Sequence, residues 1–149
     1  MSDQPKIKFE LVTPERVVLR EEITQITLPT TNGEVTILPH HIPLVAILQA
    51  GVVELKRLDG SLEVLAVSGG LVEVLEGKVV ILADTAEHAS ELDESGIETA
   101  RIKAEKLKSE LTKADQMDFT AVTLMLDKEL ARSKALRKWR KIKNIETIN

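Results

Sequence analysis

The sequence contains no cysteine and no tyrosine, and its 149 residues include only two phenylalanines and one tryptophan. Without cysteine there are no disulfides, no thiolate-bound zinc and no thiol nucleophile. Three aromatics, Phe9, Phe119 and Trp139, are too few for the stacking platforms that hold single-stranded nucleic acid. Long apolar stretches are missing as well. Leu44–Leu48 is among the longest, against the roughly 20 residues that cross a bilayer, so any membrane association is expected to be peripheral. Met1-Ser2-Asp3-Gln4-Pro5 carries neither an apolar nor an Arg-rich targeting stretch, which reads as an unprocessed cytosolic chain.

Groups with the spacing of a reactive site are scarce too. His40 and His41 are adjacent and His88 lies far away, so no metal-ligand spacing exists and no metal site is expected. Gly69-Gly70 lacks the rest of a phosphate-binding loop and reads as a close backbone approach between strands. Glu21 and Glu22, neighbours on a strand, point to opposite faces and do not act on one bond. No acid, base or nucleophile constellation remains, and the chain is not expected to be an enzyme.

What is present changes character near Asp84. Before it, Ile7, Phe9 and Leu11 alternate with Lys8 and Glu10, as in a strand with one buried face. Further strands are predicted at Val17–Leu19, Thr24–Leu28, Val35–Leu38, Val45–Leu48, Val52–Leu58, Leu62–Val67, Val72–Leu75 and Val79–Ala83. Asn32-Gly33, Asp59-Gly60 and Glu76-Gly77 mark turns between them. Short strands at such regular spacing build a sandwich or a barrel.

After Asp84 the period becomes helical. Ile97, Ala100, Ala104, Leu107, Leu111 and Ala114 draw a narrow apolar seam on a first helix. Asp115-Gln116-Met117-Asp118 interrupts the pattern, and Asp118 is placed to cap a second helix that runs to about Ile142. On it, Ala121, Leu124, Met125, Ala131, Ala135 and Trp139 are expected to face the first helix, while Val122, Leu126 and Leu130 form another stripe. Two readings of the stripes stay open: one wide core seam, or a second docking surface. An Ala-rich seam buries little area, so this hairpin should detach easily.

Charge divides at nearly the same place. Residues 1–95 hold 7 Lys or Arg against 16 Asp or Glu, net −9, and residues 96–149 hold 13 against 8, net +5. The basic run comprises Lys128, Arg132, Lys134, Arg137, Lys138, Arg140, Lys141 and Lys143. Three explanations compete: a solvated helix end favoured by the macrodipole, nucleic acid, or an acidic protein partner. An acidic body and few aromatics weigh against nucleic acid, and the acidic partner is preferred.

Several ordered motifs carry more than pattern: Val12-Thr13-Pro14-Glu15, Leu28-Pro29, Gly33-Glu34 leading to Leu38-Pro39, His41 with Pro43, Gly51, Ser68-Gly69-Gly70-Leu71-Val72-Glu73-Val74, and Leu82-Ala83-Asp84-Thr85-Ala86-Glu87. With them the chain strongly resembles the bacterial epsilon subunit of F-type ATP synthase, over most of residues 7–93 and, less specifically, the helical hairpin. The resemblance implies a flattened β-sandwich of about ten strands in residues 1–87 and an antiparallel two-helix hairpin in residues 88–149. It implies a non-catalytic rotor subunit of the central stalk that binds gamma and rests on the c-subunit ring, coupling proton flow to ATP synthesis. The expected location is the cytoplasmic face of the plasma membrane, attached only through the complex.

Residue by residue, the resemblance places Glu34 and His41 on the loop facing the c ring. Thr36 and His40 stand where the family often has glycine, and Ile42 where it has a small residue. The family's hairpin inhibits ATP hydrolysis by extending toward acidic loops of the catalytic head; Arg132, Arg137, Lys138, Arg140 and Lys141 would supply the attraction, with Trp139 as an anchor. Some members bind a regulatory ATP, for which Glu87, Leu92, Asp93, Lys103, Lys128 and Arg132 are the candidates. Gly96 and Ile97 replace that motif's Arg-Ala pair and remove a guanidinium fork, so weak or absent ATP binding is expected and no cofactor is required. The rival from another class is a free-standing β-sandwich binding module with a coiled-coil dimerisation tail.

Overall fold

The computed structural model describes residues 4–111 and 116–148. Strands β1 (Ile7–Val12), β2 (Val17–Thr30), β3 (Gly33–Ile37), β4 (Leu44–Leu48), β5 (Gly51–Arg57), β6 (Leu62–Val67), β7 (Gly70–Leu75), β8 (Lys78–Ala83) and β9 (Ala86–His88) precede two helices. Alternation chooses which side chains turn inward. Ile7, Phe9 and Leu11 of β1 meet Ile23, Ile26 and Leu28 of β2, Val53 and Leu55 of β5, Leu65 and Val67 of β6, and Val79 and Ile81 of β8 in one buried cluster. Burying these aliphatic faces, at roughly 25 cal/mol per Å², is the main force holding the body together.

Two layers share β2. One runs β1-β8-β7-β4, with β1 and β8 parallel; the other contains β3, β2, β5, β6 and β9. The first half of β2 pairs with β1, from Val17 to Ile23, and the second half with β5 and β3. Val17–Leu19 and Thr24–Leu28 are therefore one strand where two were expected. Nothing between Leu19 and Thr24 breaks an extended chain, and a register shift between Ile23 and Gln25 takes up the bend instead. Strand β9, too short for its alternation to be read from sequence, extends the sheet to His88 through pairs with β6.

The Gly69-Gly70 approach is real and tight. Gly70 has φ +142°, and a Cβ built there would lie 2.1 Å from the Leu82 carbonyl oxygen and 2.8 Å from Ala83 Cα. Only glycine lets β7 start this close to the end of β8.

A 3-10 turn (Ala89–Glu91) leads to α1 (Glu94–Glu110), where Asp93 is the cap and its carboxylate accepts from Ser95 N–H at 3.2 Å. Helix α2 (Gln116–Ile148) is longer than expected at both ends. Asp118 lies inside its first turn and does not cap it, and the segment Lys143-Asn144-Ile145-Glu146-Thr147 beyond Ile142 contains no proline or glycine that would stop it. Ala114 and Asp115, which the seam and the interruption included, lie outside the described residues.

Of the two readings left open for α2, the second docking surface holds, with its stripes reassigned. Ala135 is buried with Val52, Val64, Ala66 and Ala89, and Trp139, Ile142 and Leu92 pack around them. Ala135 and Trp139 thus face the body, although they were expected to face α1. The α1 side is met by Leu136, which lines one small cleft with Ile97. The run Val64-Leu65-Ala66-Val67 shows why: Leu65 and Val67 face the sandwich core while Val64 and Ala66 face α2, so β6 is buried on both sides. Leu124, Met125 and Leu130 remain exposed.

Candidate functional site

The hairpin lies on the outer face of β5 and β6, and ion pairs line its edges. Arg132 reaches Glu87 of β9 at 3.1 Å and Glu129, one turn earlier, at 3.0 Å. Lys138 pairs with Glu54 of β5, and Arg140 with Glu94 in the first turn of α1 at 2.8 Å. Arg137 and Lys141, from the same candidate set, are exposed and pair with no carboxylate among the described residues. Alternation aims Glu87 at the hairpin while its neighbours Ala86 and His88 turn the other way, so β9 is tied to both parts of the molecule.

His88 belongs to a chain of charges at the rim of the sandwich. Its Nδ1 lies 2.8 Å from Glu63, whose other oxygen accepts from Arg57 at 2.9 Å, and Arg57 also donates to Glu21 at 3.1 Å. Partial burial works to lower the Arg57 pKa, but hydrogen bonds to Glu21 and Glu63 more than offset it and leave the guanidinium above its ordinary value. Glu22 pairs with Lys6 instead, in keeping with the opposite-face expectation for Glu21 and Glu22. These groups brace the structure; nothing in their arrangement presents an acid and a base to one substrate.

The two residues matched to the ring-facing loop bracket β3. Glu34 is exposed near its start, and His41 sits in the loop after its end with Nδ1 2.6 Å from the Ile42 carbonyl oxygen. Among the described strands β3 pairs only with β2, so its other side is a sheet edge. His40 has φ +69°, a left-handed conformation that glycine adopts without steric cost. Thr36 turns outward to Thr27, with 3.0 Å between the hydroxyl oxygens.

The nucleotide candidates assemble only in part. Glu87 and Arg132 are joined to each other, and Lys128 lines a cavity of about 300 Å³ with Glu87, Glu15, Arg16 and Asp84. Lys103 is exposed on α1, Leu92 is half-buried under α2, and the Asp93 carboxylate is engaged as a cap. Three carboxylates around one cavity oppose a polyphosphate, and Arg132 is already bound to two of its own chain's acids.

A surface that sequence reading missed lies on the opposite side of the sandwich from the hairpin. Ile47 of β4 pairs with Leu71 of β7, and Leu71 with Leu82 of β8, so the three share one row and one face. They are 60, 38 and 52 % exposed, and Val45 beside them is 65 % exposed. The signal was available: β4 is apolar at all five positions, yet only Leu44, Ala46 and Leu48 meet the core. A contiguous apolar face of this kind marks a binding surface more often than plain solvent contact.

Comparison with known proteins agrees with this architecture. The family described as "ATP synthase, Delta/Epsilon chain, beta-sandwich domain" matches residues 6–89. The ATP synthase epsilon chain of Syntrophobacter fumaroxidans is 42% identical over 134 residues, 89% of this chain and 97% of that one. That of Herpetosiphon aurantiacus is 48% identical over 100 residues, 67% and 73% of the two chains. A chain in the Euglena gracilis mitochondrial ATP synthase structure, solved with OSCP, F1 and c-ring, shares the fold at TM-score 0.79 and 23% identity, covering 91% of this chain and 84% of that chain. With the sandwich matched across more than half of the chain and relatives aligned into the hairpin, the protein belongs to the ATP synthase epsilon chain family.

Proposed function

We propose that the chain is a non-catalytic central-stalk subunit that docks gamma through the open face of its sandwich and carries a releasable inhibitory hairpin. The observation that carries this reading is the division of surfaces. The outer face of β5 and β6 is covered by α2, the β3 edge is flanked by the ring-matched Glu34 and His41, and the Ile47-Leu71-Leu82 row is left uncovered. That row is the gamma seat. Glu34 and His41 meet the c ring, presented by a loop that Pro39 and Pro43 stiffen.

Attachment to the membrane is through the complex; no described helix is long and apolar enough to cross it. Arg132, Arg137, Lys138, Arg140 and Lys141 draw the released hairpin to acidic loops of the catalytic head, with Trp139 leaving its place against the body to anchor it. Surface ion pairs of this exposure contribute about 0–1 kcal/mol each, and an alanine-centred interface adds little area, so release is within reach of a competing acidic partner.

Co-purification tests the reading. The chain is expected to bring down gamma from a lysate containing both; a stable homodimer that ignores gamma would favour the free-standing module with a coiled-coil tail. Nucleotide is expected to bind weakly or not at all, because Glu87 already pairs with Arg132. Calorimetric titration of the isolated chain with low-millimolar ATP should therefore show no saturable heat.

A further inference from the structure

The cations of α2 occupy two different settings. Arg132, Lys138 and Arg140 are each held by a carboxylate of another element, Glu87, Glu54 and Glu94 respectively. Lys134, Arg137 and Lys141 are exposed and have no carboxylate partner among the described residues. Their spacing, i, i+3 and i+7, puts them on one helix face, which the exposed Leu130 extends by one turn. The two groups interleave in sequence and separate in space. The first is tied to the body and α1; the second is exposed, with Lys134 at the rim of a cleft beside Gln49–Gly51 and Arg137 at the rim of one beside Glu94 and Glu98.

We propose that they divide the labour of the switch: Lys134, Arg137 and Lys141 form a capture stripe for an acidic protein segment while the hairpin is still docked, and Arg132, Lys138 and Arg140 are a lock that sets how often the hairpin leaves. This rests on the reading that the hairpin is released toward an acidic partner. Unpaired surface cations act at a distance and raise the rate of encounter with an oppositely charged partner, with strong dependence on salt. Paired cations act at contact, and breaking them changes an equilibrium. A short acidic segment suits a stripe of three cations. A bilayer or a nucleic acid would spread over the neighbouring body, whose residues 1–95 carry net −9.

Because the chain has no cysteine, a single Ala135→Cys substitution reports docking, since Ala135 is fully covered in the docked state. The rate of thiol labelling at that position then follows the undocked fraction. In this background, R132Q/K138Q/R140Q is expected to raise the labelling rate at least about threefold, while K134Q/R137Q/K141Q leaves it within about twofold of the parent. In the assembled synthase, the onset of hydrolysis inhibition should slow at least about threefold for the stripe variant and lose most of its salt dependence. Equal labelling rates for the two triple variants would overturn the division. So would phosphatidylglycerol vesicles at physiological salt that capture the parent and release the stripe variant, since the partner would then be a lipid surface. Hydrolysis that the parent chain never inhibits would overturn the stripe's partner and the inhibitory reading, while the labelling arm still judges the lock.

Discussion

Replacing Ile47 with lysine is expected to weaken association with gamma by about a hundredfold, roughly 3 kcal/mol, while the isolated chain keeps its fold. The side chain is 60 % exposed and stands in the row with Leu71 and Leu82. In the free chain a lysine there reaches water and has Glu73 as a near neighbour across the ladder, so the cost to folding should stay within about 1 kcal/mol. Pressed against an apolar partner, the same ammonium has no such escape, and burying it unpaired dominates the loss. Titration of gamma with the variant, alongside thermal melts of the isolated chain, separates the two effects. Unchanged gamma affinity would move the gamma seat to another face.

Gly70→Ala should produce the largest loss of stability, above about 3 kcal/mol, and little soluble protein. The comparison that makes this informative is Gly60→Ala. Both glycines have positive φ, but a Cβ on Gly60 meets nothing within 4 Å, whereas one on Gly70 would meet Leu82 O at 2.1 Å. The conformational penalty alone costs about 1 kcal/mol, so Gly60→Ala should lose about that much. Gly70→Ala must also push β7 away from β8, opening the ladder from Gly70 to Leu75 that supports the proposed gamma seat. Urea melts of both variants give the answer; equal losses would mean that the close approach carries no strain.

Much of this fold was legible because its signals are local. Strand alternation, three turn dipeptides and the switch to a helical period near Asp84 each depend on a few neighbouring residues, and among the described residues they located the apolar segments of eight of nine strands and both helices. The failures concern what happens across distance. Val17–Leu19 and Thr24–Leu28 looked separate, because nothing in a short window says that one strand serves two layers. Ala135 and Trp139 were assigned to α1, since helical periodicity shows that a face is apolar without saying what covers it. The partner surface was nonetheless written in Val64-Leu65-Ala66-Val67, a strand apolar on both faces.

The candidate site shows the same limit. Sequence named the basic residues of α2 as one set. Which of them meet Glu54, Glu87 and Glu94 depends on the docking angle of the hairpin, and that angle comes from the tertiary packing of Ala135 against Val64 and Ala66. Glu34 and His41 rest on the resemblance alone, and neither has a local pattern that would distinguish it from an ordinary surface residue. The open row on β4, β7 and β8 went unnoticed because alternation in each strand was read for its buried face only.

The central claim is that sandwich and hairpin do separate work, the first docking the rotor and the second restraining hydrolysis. The sandwich core is built from residues between Ile7 and Ala86, and the cluster under the hairpin is distinct from it, so a chain ending at Leu92 retains its main core. The most direct test compares synthase reconstituted with that truncation and with the full chain, measuring proton-coupled ATP synthesis and ATP hydrolysis in each. Coupling retained with hydrolysis raised several-fold is the predicted result. Hydrolysis unchanged by removal of both helices would contradict it.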